Sequence, residues 1–201
     1  MYDRRDAFHA RAKAAGYRAR SAYKLLELQR RVRLLHPGDR VVDLGAWPGG
    51  WLQVAAECVG PGGRVVGVDL QPVDPLPARF VSTIVGDIAD PIVQAQVIER
   101  CGGRVDVVLS DLAPKLSGVR ARDEARAEAL TDCVLAVCRQ ILKPGGALVI
   151  KLFTRPDLSE IQGRLRALFG SVRLTRPQAT RKGSAEVYAV AHGYRGAEPA
   201  I

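Results

Sequence analysis

Val41-Val42-Asp43-Leu44-Gly45-Ala46-Trp47-Pro48-Gly49-Gly50-Trp51 is the stretch that decides the fold. Its first four residues are apolar apart from one acid, which reads as a strand covered on both faces. A turn rich in glycine and proline follows, and a helix begins near Gly50. Strand, glycine turn and helix in that order form the first unit of an open α/β sheet, with ligand-binding groups at the strand's carboxyl end.

Outward from this unit, strands and helices alternate. The pattern predicts strands over residues 40–44, 64–69, 80–85, 105–110 and 147–153, and helices over 50–59, 91–100, 121–142 and 157–169. Lys143-Pro144-Gly145-Gly146 reads as the turn that closes the longest helix. Two last strands, 172–174 and 186–191, are joined by a basic loop. Upstream, apolar residues recur at helical spacing over 4–35, with Gly16 as a break. Such alternation predicts an α/β fold: a mostly parallel seven-stranded sheet, helices on both faces and one antiparallel strand. Three parts are expected: a basic helical segment over 1–35 packed on the core, a domain over 36–193 and a loose tail over 194–201.

With 201 residues and 47% hydrophobic content, the chain suits one domain with a sizeable core. The formal charge is +9, and residues 1–33 hold ten lysines and arginines against Asp3, Asp6 and Glu27. The excess sits on one terminal segment, which favours a polyanionic partner. Cys58, Cys101, Cys133 and Cys138 form no C-x-x-C pair, and His9, His36 and His192 fall in separate elements. The expectation is reduced thiols, no metal site and no histidine triad. No apolar run approaches the ~20 residues needed to span a bilayer. The first twenty residues lack the apolar segment of a signal peptide. A cytoplasmic monomer with no membrane association is expected.

Ligands of open α/β sheets bind beyond the carboxyl ends of the strands. Asp43, Asp69, Asp87 and Asp111 stand at the ends of four successive strands. Each alone reads equally as a turn residue or a helix cap. Four in succession point to a ligand, and Gly45, Gly49 and Gly50 let the backbone approach it. Asp43 would orient the loop or a cofactor amine, Asp69 ribose hydroxyls, and Asp87 a nucleobase amine. A nicotinamide enzyme shares the first strand and the second-strand acid, but G-x-G-x-x-G is absent. Pro48-Gly49-Gly50 and Gly86-Asp87 favour S-adenosylmethionine (AdoMet), which has no pyrophosphate to cradle.

Lys151 stands out for its surroundings, Ala147-Leu148-Val149-Ile150 before it and Leu152-Phe153 after it. A lysine inside an apolar strand is expensive unless it is paired, functional or able to snorkel from a strand end. Lys24, in Ala22-Tyr23-Lys24-Leu25-Leu26, reads also as a solvated helix lysine, and Glu186 as an edge charge.

Five separated segments carry a family resemblance. They are Arg18-Ala19-Arg20-Ser21-Ala22-Tyr23-Lys24-Leu25, Val41 to Gly45, Pro48 to Trp51, Ser110-Asp111-Leu112-Ala113-Pro114 with Ser117-Gly118, and Glu186-Val187-Tyr188. In order, they resemble motifs of the FtsJ/RlmE-type ribose 2'-O-methyltransferases, and the likeness runs from about Gly16 to Gly193. It implies a Rossmann-like AdoMet-dependent methyltransferase fold. The family's Lys-Asp-Lys-Glu tetrad falls on Lys24, Asp111, Lys151 and Glu186. Its AdoMet contacts fall on Gly49, Trp51, Asp69, Asp87 and Asp111. The implied partner is large-subunit (23S) rRNA or the large ribosomal subunit, with a uridine of the A-loop as the usual target.

A ribose 2'-hydroxyl is a weak nucleophile, so its oxygen, the methyl carbon and the sulfur must be held in line and a proton removed. A neutral lysine can remove it. Bringing a lysine from about 10.4 to about 7.5 costs about 4 kcal/mol, and burial and a second ammonium both push that way. Lys151 is then the expected base, with Lys24 as the neighbouring cation that also holds the ribose. Glu186 would orient a lysine, and Asp111 would position Lys151 and the methyl donor. Strong ion pairing would instead keep Lys151 charged and restrict it to orienting the hydroxyl.

Trp47 stands where the family has a small residue, and Lys115 where Asn is common. The N-terminal helices with Arg176, Arg181 and Lys182 form a candidate phosphate-tracking stripe. Tyr17, Tyr23 and Tyr188 are candidates for base stacking or for the core. Methylation of tRNA or another RNA, and an assembly factor keeping AdoMet as a structural ligand, are the competing readings.

Overall fold

In chain order the elements are α1 (Ala7–Ala14), α2 (Ala22–Val32), β1 (Arg40–Leu44), α3 (Gly50–Val59), β2 (Arg64–Asp69), β3 (Val81–Val85) and α4 (Pro91–Cys101). They continue with β4 (Val105–Ser110), α5 (Arg120–Ile141), β5 (Leu142–Phe153), α6 (Leu158–Leu168), β6 (Phe169–Thr175) and β7 (Glu186–Tyr194). The computed structural model describes residues 7–115, 117–155, 157–181 and 183–196. Arg4, Arg5, Lys182 and residues 197–201 of the expected tail lie outside them.

The strands form one sheet in the order β3-β2-β1-β4-β5-β7-β6. Pairing is parallel from β3 through β5. β7 runs antiparallel to both β5 and β6. This is the expected mostly parallel, Rossmann-like α/β fold. The strand order reverses between β1 and β4, so the loops after these two strands face each other. Gly45 marks how closely they approach: its φ is +80°, and a Cβ there would lie 2.8 Å from Leu112 Cδ2. The antiparallel direction of β7 brings its first residues to the carboxyl end of β5. Glu186 pairs with Phe153, and Tyr188 with Lys151.

Two apolar layers flank the sheet. On one face Val42, Leu44, Leu148 and Ile150 meet Val97, Val134, Cys138 and Leu165 of the helices α4, α5 and α6. On the other, Val41, Leu109 and Val149 meet Leu25 and Leu28 of α2 and Trp51 and Leu52 of α3. Ser21, at the N-cap of α2, makes no side-chain cap bond. What holds α2 is burial: Leu25 and Leu28 are fully covered, each contributing about 1.5–3 kcal/mol.

The break expected at Gly16 is present: among the described residues the helical pattern is two helices, α1 and α2, parted there, with Gly16 at φ +76°. Two regions differ from expectation. Lys143 to Gly146 do not separate helix from strand but bulge within β5. Leu142 pairs with Val105 and Ala147 with Val107, and the residues between leave the ladder. β6 and β7 are longer than predicted because Phe169 pairs with Tyr194. Among the described residues, no helix is long and apolar enough to cross a membrane, and no group of three or more acids, cysteines or histidines could hold a metal.

Candidate active site

Four elements bring five side chains together where β4 and β5 end and β7 begins. Lys24 comes from α2, Asp111 follows β4, Lys151 sits near the end of β5, and Glu186 and Tyr188 open β7. Lys24 Nζ donates to Glu186 Oε2 at 2.9 Å and to the Tyr188 hydroxyl at 3.1 Å. The hydroxyl in turn donates to Asp111 Oδ1 at 2.6 Å. Lys151 Nζ lies 3.1 Å from that same Oδ1 and donates to the Asp111 carbonyl at 2.6 Å. The result is one continuous chain, Glu186–Lys24–Tyr188–Asp111–Lys151. Both lysines are only 8% exposed, which is sustainable because each ammonium has acidic and hydrogen-bonding partners. Burial, then the Asp111 charge and its hydrogen bond, push the Tyr188 phenol far up, so Tyr188 stays a neutral link.

The loop between β6 and β7 is fastened to α2. Arg20 donates to the Ala179 carbonyl, Gln178 N donates to Glu27 Oε2 at 2.6 Å, and Arg31 donates to Thr175 Oγ1 at 3.1 Å. These clips fix the relation between Lys24 and Glu186. They also engage charges of the expected phosphate-tracking stripe. Arg18 holds the Asp74 and Pro75 carbonyls, and Arg176 holds that of Ser184. Burial, and after it the Arg181 charge, lower Arg20, so these two guanidiniums are neighbours beside an open recess that Lys24 and Glu186 also line. Tyr17 donates to Glu57, and Tyr23 packs edge-on against Tyr17 and under Arg11.

The ends of β1, β2 and β3 form the other half of the site. Asp43 is 1% exposed, and both of its carboxylate oxygens lack a hydrogen-bond partner. Burial raises it well above the ordinary carboxyl range, with Asp111 and Asp69 adding repulsion. Asp69 accepts the backbone N–H of Trp47 and of Gln71, each at 2.9 Å, tying the first loop to the second. Asp87 is exposed and accepts from Ala89 N at 2.9 Å.

Gly49 has φ +109°, and a Cβ on it would lie 2.9 Å from an Arg18 guanidinium nitrogen. A Cβ on Gly50 would lie 3.1 Å from that of Ala19. The Trp51 indole is buried in the core, donating to the Ser21 carbonyl at 2.8 Å beside the Tyr188 ring. What Trp51 offers a ligand is its backbone, because the first N–H groups of α3 have no intrahelical acceptor. Trp47 is 54% exposed on the same loop. Clustered carboxylates, one with unpaired oxygens, facing a helix N-terminus and a glycine turn suit a ligand carrying both positive charge and polar acceptors.

A family model of FtsJ-like methyltransferases matches residues 17–194. The chain belongs to this family. Its relatives include the ribosomal RNA large subunit methyltransferase E of Methanoculleus marisnigri, 50% identical over 96% of this chain and 93% of that protein. The protein of the same name from Methanothermobacter thermautotrophicus is 44% identical over 97% of this chain and 92% of its own. A solved structure from Plasmodium falciparum, provisionally assigned as a ribosomal RNA methyltransferase, superposes with a TM-score of 0.79 at 26% identity, covering 90% of this chain and all of that one. Membership implies a methyl donor.

The four tetrad positions read from sequence lie in one hydrogen-bonded array. Tyr188, the link between its halves, was read as a stacking or core residue. A signal for it existed: residues two apart on a strand share a face, so Tyr188 must point where Glu186 points.

Proposed function

We propose that this methyltransferase moves the methyl group of AdoMet to a ribose 2'-hydroxyl of large-subunit rRNA, a uridine of the A-loop being the expected target. The observation that carries the reading is Lys151, buried at a strand end with Asp111 as its double acceptor. A neutral amine has two N–H donors and one lone pair. Once its third proton has left, both remaining donors on Asp111 leave the lone pair for the hydroxyl proton and Lys151 acts as general base; held as an ammonium by the Asp111 ion pair, it would instead only orient the hydroxyl. The Tyr188 hydroxyl and Lys24 hold Asp111 from the other side, Glu186 anchors Lys24, and Lys24 remains the cation nearest the ribose. The names of the relatives support rRNA as the substrate class.

AdoMet fits the residues present. The unpaired Asp43 carboxylate suits its ammonium group, Asp69 its ribose hydroxyls, Asp87 its adenine amine, and the backbone of Gly45, Gly49, Gly50 and Trp51 its carboxylate end. When bound, AdoMet supplies a methyl group activated by a sulfonium. The carboxylates of Asp69 and Asp87, with Asp43 able to ionise against the ligand's ammonium, favour a cationic donor and the release of its neutral-sulfur product.

The test is transfer of labelled methyl groups from AdoMet to large ribosomal subunits lacking the modification, with free rRNA and tRNA alongside. Label mapping to one rRNA ribose and depending on Lys151 is the expected result. Label on tRNA alone would move the substrate, and AdoMet binding without transfer to any RNA would favour an assembly factor.

A further inference from the structure

Beyond the tetrad, an open recess of about 240 Å³ lies between the loop after β4, the start of α5 and the end of β5. Pro114, Ala127, Phe153, Arg120 and Arg155 line it with Asp123 and Glu124. Its wall is nevertheless apolar, because the polar heads are turned onto one another. Asp123 accepts from Ser117 N and Oγ and from Gly118 N. Arg120 pairs with Glu124, and Arg155 pairs with Asp157 while donating to the Glu124 carbonyl. The recess is smaller than the ~300 Å³ at which drug-sized sites begin, a size suited to a single ring system.

Lys115, Arg120, Arg122 and Arg126 are all exposed on the adjoining loop and first turns of α5, among the acids Asp123, Glu124 and Glu128. An apolar slot with exposed arginines beside it suits a nucleotide, whose flat base can stack in the slot and whose phosphate can meet an arginine. The recess lies beside one end of the catalytic array. Pro114, Ala127, Phe153 and Arg155 also line a pocket that Lys151 lines, and Phe153 is two residues past Lys151 on β5, a step of about 7 Å. That puts this wall within reach of the base of a ribose held at Lys151.

We infer that the recess receives the base of the nucleotide being methylated, with the ring against Phe153 and Pro114 and an adjacent phosphate near Arg120. The inference rests on the RNA reading proposed above. It makes Phe153 and Ala127 determinants of substrate binding, separate from the cofactor half of the site.

The test fills the slot. Ala127→Phe would occupy it from α5, and Ala129→Phe, on an exposed position two residues away, is the control for the helix. Both are compared with wild type for methylation of unmodified large ribosomal subunits, for AdoMet affinity and for melting temperature. The expected result for Ala127→Phe is a fall of at least tenfold in kcat/KM, carried by KM for the subunits, with AdoMet affinity within twofold. Ala129→Phe should behave as wild type. Wild-type kinetics in a folded Ala127→Phe would overturn the inference. If that variant does not fold, Phe153→Leu decides: a fall of at least fivefold in kcat/KM supports the recess, and no change overturns it. A wild-type enzyme that methylates no RNA would instead defeat the underlying functional reading, an outcome separate from either.

Discussion

Along β4, β5 and β7, each of the five polar side chains already has a partner: Glu186 holds Lys24, Lys24 and Asp111 hold Tyr188, and Asp111 holds Lys151. At the end of β1, Asp43 is more deeply buried than either lysine, and its carboxylate oxygens have none. The two halves of the site thus solve opposite problems. Groups that move a proton must be in place before the substrate arrives, so their array is complete in the protein alone. A group that recognises a cation gains most if its acceptors are desolvated and unpaired until the ligand brings donors. The difference teaches that stability and ligand affinity are coupled on the β1 side and largely separate on the β5 side.

The largest expected effect breaks the complete half. Lys151→Ala should lower the methylation rate by about 10²–10⁴-fold, measured by single turnover, with AdoMet affinity little changed.

Asp43→Asn tests the incomplete half. AdoMet affinity should fall about 10–100-fold, measured calorimetrically, as a charge-assisted bond worth roughly 1.5–3 kcal/mol is lost. The ligand-free protein should meanwhile gain stability, by about 1–3 kcal/mol at neutral pH. The folded carboxyl is held above its ordinary value of 3.8. Below that pH both folded and unfolded chains are protonated and nothing is lost. Above it the unfolded chain ionises while the folded one resists, so wild-type stability declines until pH passes the folded value. The asparagine variant escapes this decline. Its advantage in denaturant melts should therefore appear near pH 4, grow with pH and then level off.

Tyr188→Phe sharpens the comparison by cutting the array without removing a charge. Lys24 and Asp111 each lose one partner, and a loss of about 1–3 kcal/mol in stability is expected with a fall of about tenfold in rate. Gly45→Ala is the smallest test. A side chain at φ +80° and 2.8 Å from Leu112 should cost about 1–2 kcal/mol in thermal unfolding.

The sheet was legible because its signals are local. Residues 40–44, 64–69 and 105–110 are apolar runs cut by glycine, proline or polar turns, and their strands have the predicted bounds. The bulge at Lys143 to Gly146 was not legible, since the same residues make a turn or a bulge according to whether Leu142 finds Val105. Within the site, Asp43 and Lys151 were conspicuous as charges in apolar runs. Lys24 and Glu186 were not: on their own segments they look like solvated charges, and only the antiparallel return of β7 joins residues 162 positions apart. Tyr188 escaped because it is both core, with no exposed surface, and link.

The most direct measurement sets Lys151→Ala beside Asp43→Asn, with the single-turnover rate at saturating AdoMet and the AdoMet dissociation constant determined for each. The account predicts a crossed result, with Lys151→Ala losing rate at near-normal affinity and Asp43→Asn losing affinity while retaining most of its rate. Loss of both quantities together in each variant, or full rate in Lys151→Ala, would contradict it.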